Sequence, residues 1–67
     1  MSDVAARIEA FLRRLRASGY VCQVAKEADG QHWYVTDKDG KKRHSVWGLD
    51  DYRCAIQIAV ILHIALP

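Results

Sequence analysis

Two Asp-Gly steps, Asp29-Gly30 and Asp39-Gly40, punctuate the middle of this 67-residue chain and constrain its fold more than any other feature. They separate three short runs containing β-branched and aromatic residues: Tyr20 to Ala28, Gln31 to Asp37 and Lys41 to Trp47. Asp-Gly between such runs reverses the chain tightly, so the spacing predicts a three-stranded antiparallel meander. Ahead of it, Ser2 precedes a segment whose apolar residues Val4, Ile8, Phe11, Leu12 and Leu15 share one side of a helix, and Gly19 supplies a left-handed stop. Glu9 stands four residues before Arg13, the favourable orientation for an ion pair along that helix. After the meander, Gly48, Leu49 and Asp50 close the sheet, and Asp50 or Asp51 can cap a final helix. The predicted class is α+β, in the order α-β-β-β-α, with a three-stranded antiparallel meander packed against two helices in a single domain over residues 1–67.

The last segment, Cys54 to Leu66, carries only Gln57 and His63 as polar side chains. Its isoleucines and Val60 are β-branched, which makes a long strand the alternative to a helix. Wound as a helix, it gathers Ile58, Ile61, Leu62 and Ala65 on a side able to cover the sheet. Ile56, Val60 and Ile64 are then left without a cover, and this predicts a homodimer through the C-terminal helix. Chain length favours the same device, because a core this small supplies only about 3 to 5 kcal/mol unaided.

Composition excludes several classes of chemistry. Cys22 and Cys54 lie far apart in apolar runs, with no C-x-x-C pair, and read as small buried hydrophobes of a reducing cytoplasm. Positions 22, 32, 44, 54 and 63, which hold every Cys and His, put no two ligands on one helical turn, so no metal is expected. His44 reads as a core-edge residue and His63 as a partner for the last helix's C-terminus. No phosphate-binding glycine loop, Ser-His-Asp grouping or carboxylate pair is visible, and no cofactor or small-molecule substrate is implied. The apolar run falls short of the roughly 20 residues a membrane span needs, so a cytoplasmic protein without a membrane partner is expected. The net charge of +2 names no partner by itself.

Alternation sorts the meander's side chains onto two faces. Cys22, Val24, Trp33, Val35 and Val46 form the expected buried face, leaving Gln23, His32, Tyr34, Arg43, Ser45 and Trp47 on the open one. Rings interleaved with an arginine make a stacking platform for bases, and Lys41, Lys42 and Arg43 at the hairpin can meet phosphates. Arg7 and Arg14, seven residues apart on the first helix, extend the basic set. An ordinary solvated sheet face, or a dimer contact, is the alternative reading of the same residues.

Leu15 through Gly19-Tyr20 and Gly30-Gln31-His32-Trp33-Tyr34 carry a family resemblance. With the α-β-β-β-α order, the chain resembles the double-stranded-RNA-binding-domain-like fold. Within it, the chain is similar to HicA-type mRNA-cleaving toxins, whose first helix ends in L-x-x-x-G-W/F and whose G-S-H-H-x-F segment holds the catalytic histidine. The resemblance implies His32 as general acid or base for attack of a ribose 2′-hydroxyl on phosphate. The chain departs from that pattern at Gln31, where the toxins have serine, and in having no V-P-x-H segment after the third strand. At Asp50-Asp51 it carries acids where double-stranded-RNA binders have lysines. Two non-enzymatic roles therefore stand beside the nuclease: a nucleic-acid-binding module, and an anti-CRISPR-like phage or mobile-element inhibitor that docks on a host protein through the last helix or the Trp47 face.

Overall fold

In the computed structural model, which describes residues 3–67, the chain forms α1 (Asp3–Ala17), β1 (Tyr20–Lys26), β2 (Gln31–Asp37), β3 (Arg43–Gly48) and α2 (Asp51–Leu62). Ser2, placed by the sequence ahead of the first helix, lies outside the described residues. The strands form one antiparallel sheet in the order β1-β2-β3. Both helices pack on one face of it. Ile8, Phe11 and Leu15 from α1 and Cys54, Ala55 and Ile58 from α2 join Trp33, Val35 and Val46 in a single core. Trp33, the largest fully buried side chain, donates its indole N–H to the Oε1 of buried Gln31 at 2.9 Å, so neither polar group is stranded in the apolar interior.

Register assigns the rest. On the helix-facing side Cys22 pairs with Val35 and Val24 with Trp33, while Val35 pairs with His44 and Trp33 with Val46. On the other side three rows cross the sheet: Val21-Thr36-Arg43, Gln23-Tyr34-Ser45 and Ala25-His32-Trp47. These are the faces expected from alternation, with one correction. Val24 lies on the helix-facing side yet is 42% exposed, because a groove between α1 and β1, lined by Leu12, Leu15, Arg16, Tyr20 and Cys22, leaves the edge strand partly uncovered. Val4, expected on the apolar arc of α1, is likewise exposed. Nor do Glu9 and Arg13 form an ion pair, an outcome in keeping with the small net gain of such pairs in water.

The final segment is a helix, and it ends sooner than its apolar run. Asp50 caps it, its carboxylate accepting the Arg53 backbone N–H at 2.9 Å and the Arg53 guanidinium at 2.9 Å. His63 takes the left-handed conformation (φ 56°, ψ 39°), and the Ile64 N–H reaches back to the Ala59 carbonyl at 3.1 Å, closing α2 in a Schellman-type turn. This early stop overturns the helical projection of residues 63–66. Ile64 and Leu66 fold back against the core, and Ala65 is exposed with its carbonyl held by Arg14 at 3.0 Å. Ile61, still inside α2, is exposed rather than covering the sheet, because it lies at the flank of the side that buries Cys54, Ala55 and Ile58. Among the described residues no helix is long and apolar enough to cross a membrane.

Candidate nucleic-acid interface

The open face of the sheet is where chemistry-bearing side chains converge. Strand alternation turns His32 and Tyr34 of β2 and Trp47 of β3 to this side, and nothing among the described residues packs over them. Tyr34 is 43% and Trp47 42% exposed. His32 and Tyr34 stack at a centroid separation of 5.8 Å and an interplanar angle of 15°. Trp47 lies directly opposite His32 in the β2–β3 register. The three rings therefore form a strip that begins in the row nearest the β1–β2 turn, where His32 faces Trp47, and reaches the middle row at Tyr34.

Two contacts fix this strip. Glu27, at the start of the β1–β2 turn, hydrogen-bonds His32 Nδ1 through its carboxylate, which orients the ring and leaves Nε2 for other partners. Gly30 lies beneath Trp47: an added Cβ there would stand 2.6 Å from Trp47 Cζ2 and 2.7 Å from the Gly48 carbonyl oxygen. The reason for this glycine differs from the one its Asp-Gly setting suggests. Glu27 N–H bonds the Gly30 carbonyl at 2.8 Å, so Ala28 and Asp29 are the turn, and Gly30 lies outside the left-handed region. Closeness to the indole and to the Gly48 carbonyl, not turn geometry, is what crowds a side chain here. From behind, Gln57 of α2 donates to the Trp47 carbonyl at 2.7 Å and ties this end of β3 to the helix.

Charge is graded along the face. Arg43 stands in the row beyond Tyr34, and the hairpin before it exposes Lys38, Lys41 and Lys42. Asp37 shapes this loop by accepting the Lys41 backbone N–H at 2.8 Å, while Gly40 with φ 70° turns the chain as the second Asp-Gly step predicts. Glu27 and Asp29 lie at the opposite end, beside His32. The face is thus basic at the hairpin and acidic at the other turn.

Of the residues singled out from sequence, the structure brings His32, Tyr34, Arg43 and Trp47 onto one face, with Lys41 and Lys42 on the adjoining hairpin. It does not bring Arg7 and Arg14 to them. Those arginines belong to α1, across the sheet, and Arg14 is engaged with the Ala65 carbonyl. Ile56 and Val60 are exposed on α2, at 40% and 69%, but Ile64 is partly buried against the chain's own core and is not part of that surface. Sequence reasoning missed Glu27 and Gly30, whose roles depend on which residue lies across the sheet.

Both cysteines are held in the thiol form. Both are free, and burial, with Cys54 and Asp51 adding to it, pushes the Cys22 thiol up to about 11. Burial and the nearby Asp51 and Asp50 carboxylates also raise Cys54. Neither is a thiolate near neutral pH, so neither is an activated nucleophile. Among the described residues no three His, Cys, Asp or Glu side chains gather to hold a metal. No protein-family model, curated protein or solved structure matches this chain.

Proposed function

We propose that this protein binds single-stranded RNA or DNA on the open face of its sheet. The observation that carries the reading is the strip of His32, Tyr34 and Trp47, two of its rings more than two-fifths exposed, with Tyr34 in the row next to Arg43 and the hairpin lysines beyond it. Bases stack on exposed rings whatever their identity, and stacking requires unpaired bases, which selects single strands over duplexes. Phosphates are drawn to the basic hairpin end and repelled from the Glu27–Asp29 end, which gives a bound strand a preferred path. The α-β-β-β-α order, shared with the double-stranded-RNA-binding-domain-like fold, is compatible with an RNA-facing role. The acidic Asp50-Asp51 start of α2 disfavours that fold's duplex-binding mode.

The test is fluorescence anisotropy with short labelled RNA and DNA oligonucleotides at several salt concentrations. Wild type binds with an affinity that falls as salt rises. Tyr34→Ala weakens it roughly fivefold to 150-fold, the loss expected for about 1 to 3 kcal/mol of stacking per base. Each of Lys41→Ala and Lys42→Ala flattens the logarithmic salt slope by about 0.7 for every phosphate contact removed. Salt-independent or undetectable binding by wild type, or full affinity in Tyr34→Ala, refutes the reading. RNA cleavage abolished by His32→Ala would replace it with the nuclease, for which the Glu27–His32 pair is the supporting contact.

A second reading rests on a separate surface. Leu49, Ile56, Val60 and Ile61 are all exposed around the outer side of α2, an apolar area suited to a protein partner of an inhibitor or adaptor.

A further inference from the structure

The two edges of the sheet are treated differently. At β3 the chain places Lys41, Lys42 and Arg43 along the approach, and Gln57 of α2 occupies the Trp47 carbonyl. Charge and a covering side chain are the devices that stop an edge strand from pairing with another chain. At β1 charge is confined to the margins, at Lys26 and at Arg16 of α1, and no described side chain is hydrogen-bonded over the edge. Its seven residues, Tyr20–Lys26, contain no proline and pair with β2 in unbroken register without a bulge, and its one charge is terminal. Beside it lie exposed Val21, at 57%, exposed Val24, and the groove against α1, whose apolar lining is bordered by Arg16.

Backbone accounting shows what that edge offers. The Glu27 N–H bonds the Gly30 carbonyl, so alternation directs Ala25, Gln23 and Val21 towards β2 as well. The N–H and C=O groups of Tyr20, Cys22, Val24 and Lys26 therefore point to the free edge. We propose that two copies of the chain pair antiparallel through β1 about a two-fold axis at Gln23, forming one six-stranded sheet.

The strand is self-complementary in this register. Tyr20 meets Lys26 of the second copy, Val21 meets Ala25, and Cys22 meets Val24, so every edge-facing group finds a counterpart and no like charges stand opposite. Val24 and Cys22 bring apolar surface over the groove that each copy leaves half-covered. The α1 flank bordering this groove carries Glu9 with Arg13 and Arg16, so two copies present both signs to each other. A two-fold axis perpendicular to the sheet keeps both open faces on the same side. On the proposed nucleic-acid reading, the two ring strips then form one extended platform. The pairing itself is independent of that reading.

The test measures mass by light scattering on the full chain without nucleic acid, so its outcome is separate from that of the binding assay. Wild type is a dimer. Val24→Pro removes an N–H that faces the free edge and leaves the β1–β2 ladder intact, and it yields a monomer with unchanged far-ultraviolet circular dichroism. Val60→Asp, on α2, remains dimeric. Register is tested by oxidation in a Cys22→Ala background. Gln23→Cys sits on the axis opposite itself, at the roughly 4.5 Å Cα separation of a non-hydrogen-bonded pair, and forms a disulfide-linked dimer. Ala25→Cys, opposite Val21, does not. A monomeric wild type, a dimer lost in Val60→Asp but kept in Val24→Pro, or equal cross-linking at positions 23 and 25 overturns the proposal. The cross-linking result decides the matter if Val24→Pro does not fold.

Discussion

Gly30→Ala couples the fold to the site, and its sign is not obvious. Gly30 lies outside the left-handed region, so alanine can adopt its backbone. Where that holds, Gly→Ala stabilises by about 0.4 to 1 kcal/mol by narrowing the unfolded ensemble. Against this, the new methyl would lie 2.6 Å from Trp47 Cζ2, 2.9 Å from Cε2 and 2.7 Å from the Gly48 carbonyl oxygen. The indole is partly exposed and can swing outward, but the carbonyl belongs to the backbone of β3. Retreat there is blocked, because space behind Gly48 is already tight: a Cβ built on it would stand 3.0 Å from Cys54 Sγ and 3.1 Å from Arg53 Cβ. Overpacking of this kind costs about 1 to 3 kcal/mol. The net expectation is a loss of about 1 to 2 kcal/mol, or a melting temperature lower by roughly 5 to 15 °C for a domain of this size. Urea unfolding monitored by circular dichroism measures it, and the emission of the displaced Trp47 shifts to the red. Trp47→Ala removes the ring but not the carbonyl, so in the double variant the penalty of Gly30→Ala shrinks without vanishing. A Gly30→Ala protein as stable as wild type, or a penalty equally large with and without the Trp47 ring, refutes the packing argument.

Two further outcomes follow from local geometry. His63 holds a left-handed conformation that glycine adopts without steric cost, so His63→Gly raises stability by about 0.5 to 1 kcal/mol, and a lower melting temperature would contradict the assignment of the α2 stop. For Cys22 the folded thiol is pushed up to about 11 from an ordinary 9.0, chiefly by burial. A raised value in the folded state means its stabilising contribution is complete below pH 9 and is lost as pH climbs towards 11. Wild type measured against Cys22→Ser under reducing conditions should therefore lose about 1 to 2 kcal/mol across that window, discounted from the full shift because the thiol is partly exposed, and a flat difference would refute it.

The element order was legible because its signals are local. Gly19 and Gly40 adopt positive φ where turns need it, and Asp50 caps α2 as its position suggested. The sorting of β2 and β3 side chains onto two faces was also legible, since Trp33, Val35 and Val46 alternate with His32, Tyr34 and Trp47, but with aromatics on both, alternation alone did not say which face the helices cover. Periodicity failed where it was carried past an ending. His63 carries no glycine-like signal, so the projection continued to Ala65 and sent Ile64 outward when the chain turns it back to the core. The site was legible only in part for a related reason. Arg7 and Arg14 share the charge of Arg43, but charge does not say on which side of a sheet a helix will pack.

Aromatic residues on an exposed sheet face have an ordinary use, since cross-strand pairs contribute about 0.2 to 1 kcal/mol and aromatics suit the pleat. His32 and Trp47 have that use: they stand opposite each other, His32 is held by Glu27, and Trp47 covers Gly30. Tyr34 does not. Its cross-strand neighbours are Gln23 and Ser45, and its ring contact is to His32 along the same strand. A threonine or valine at position 34 would serve the sheet as well and expose less apolar surface. Tyr34 is thus the ring whose presence folding explains least, while it occupies the centre of the nine-residue open face, between Arg43 and Trp47. Stability and binding separate there more cleanly than at Trp47, where loss of the indole also uncovers Gly30. That separation makes Tyr34, and not the larger tryptophan, the residue at which a functional sheet face is distinguished from a solvated one.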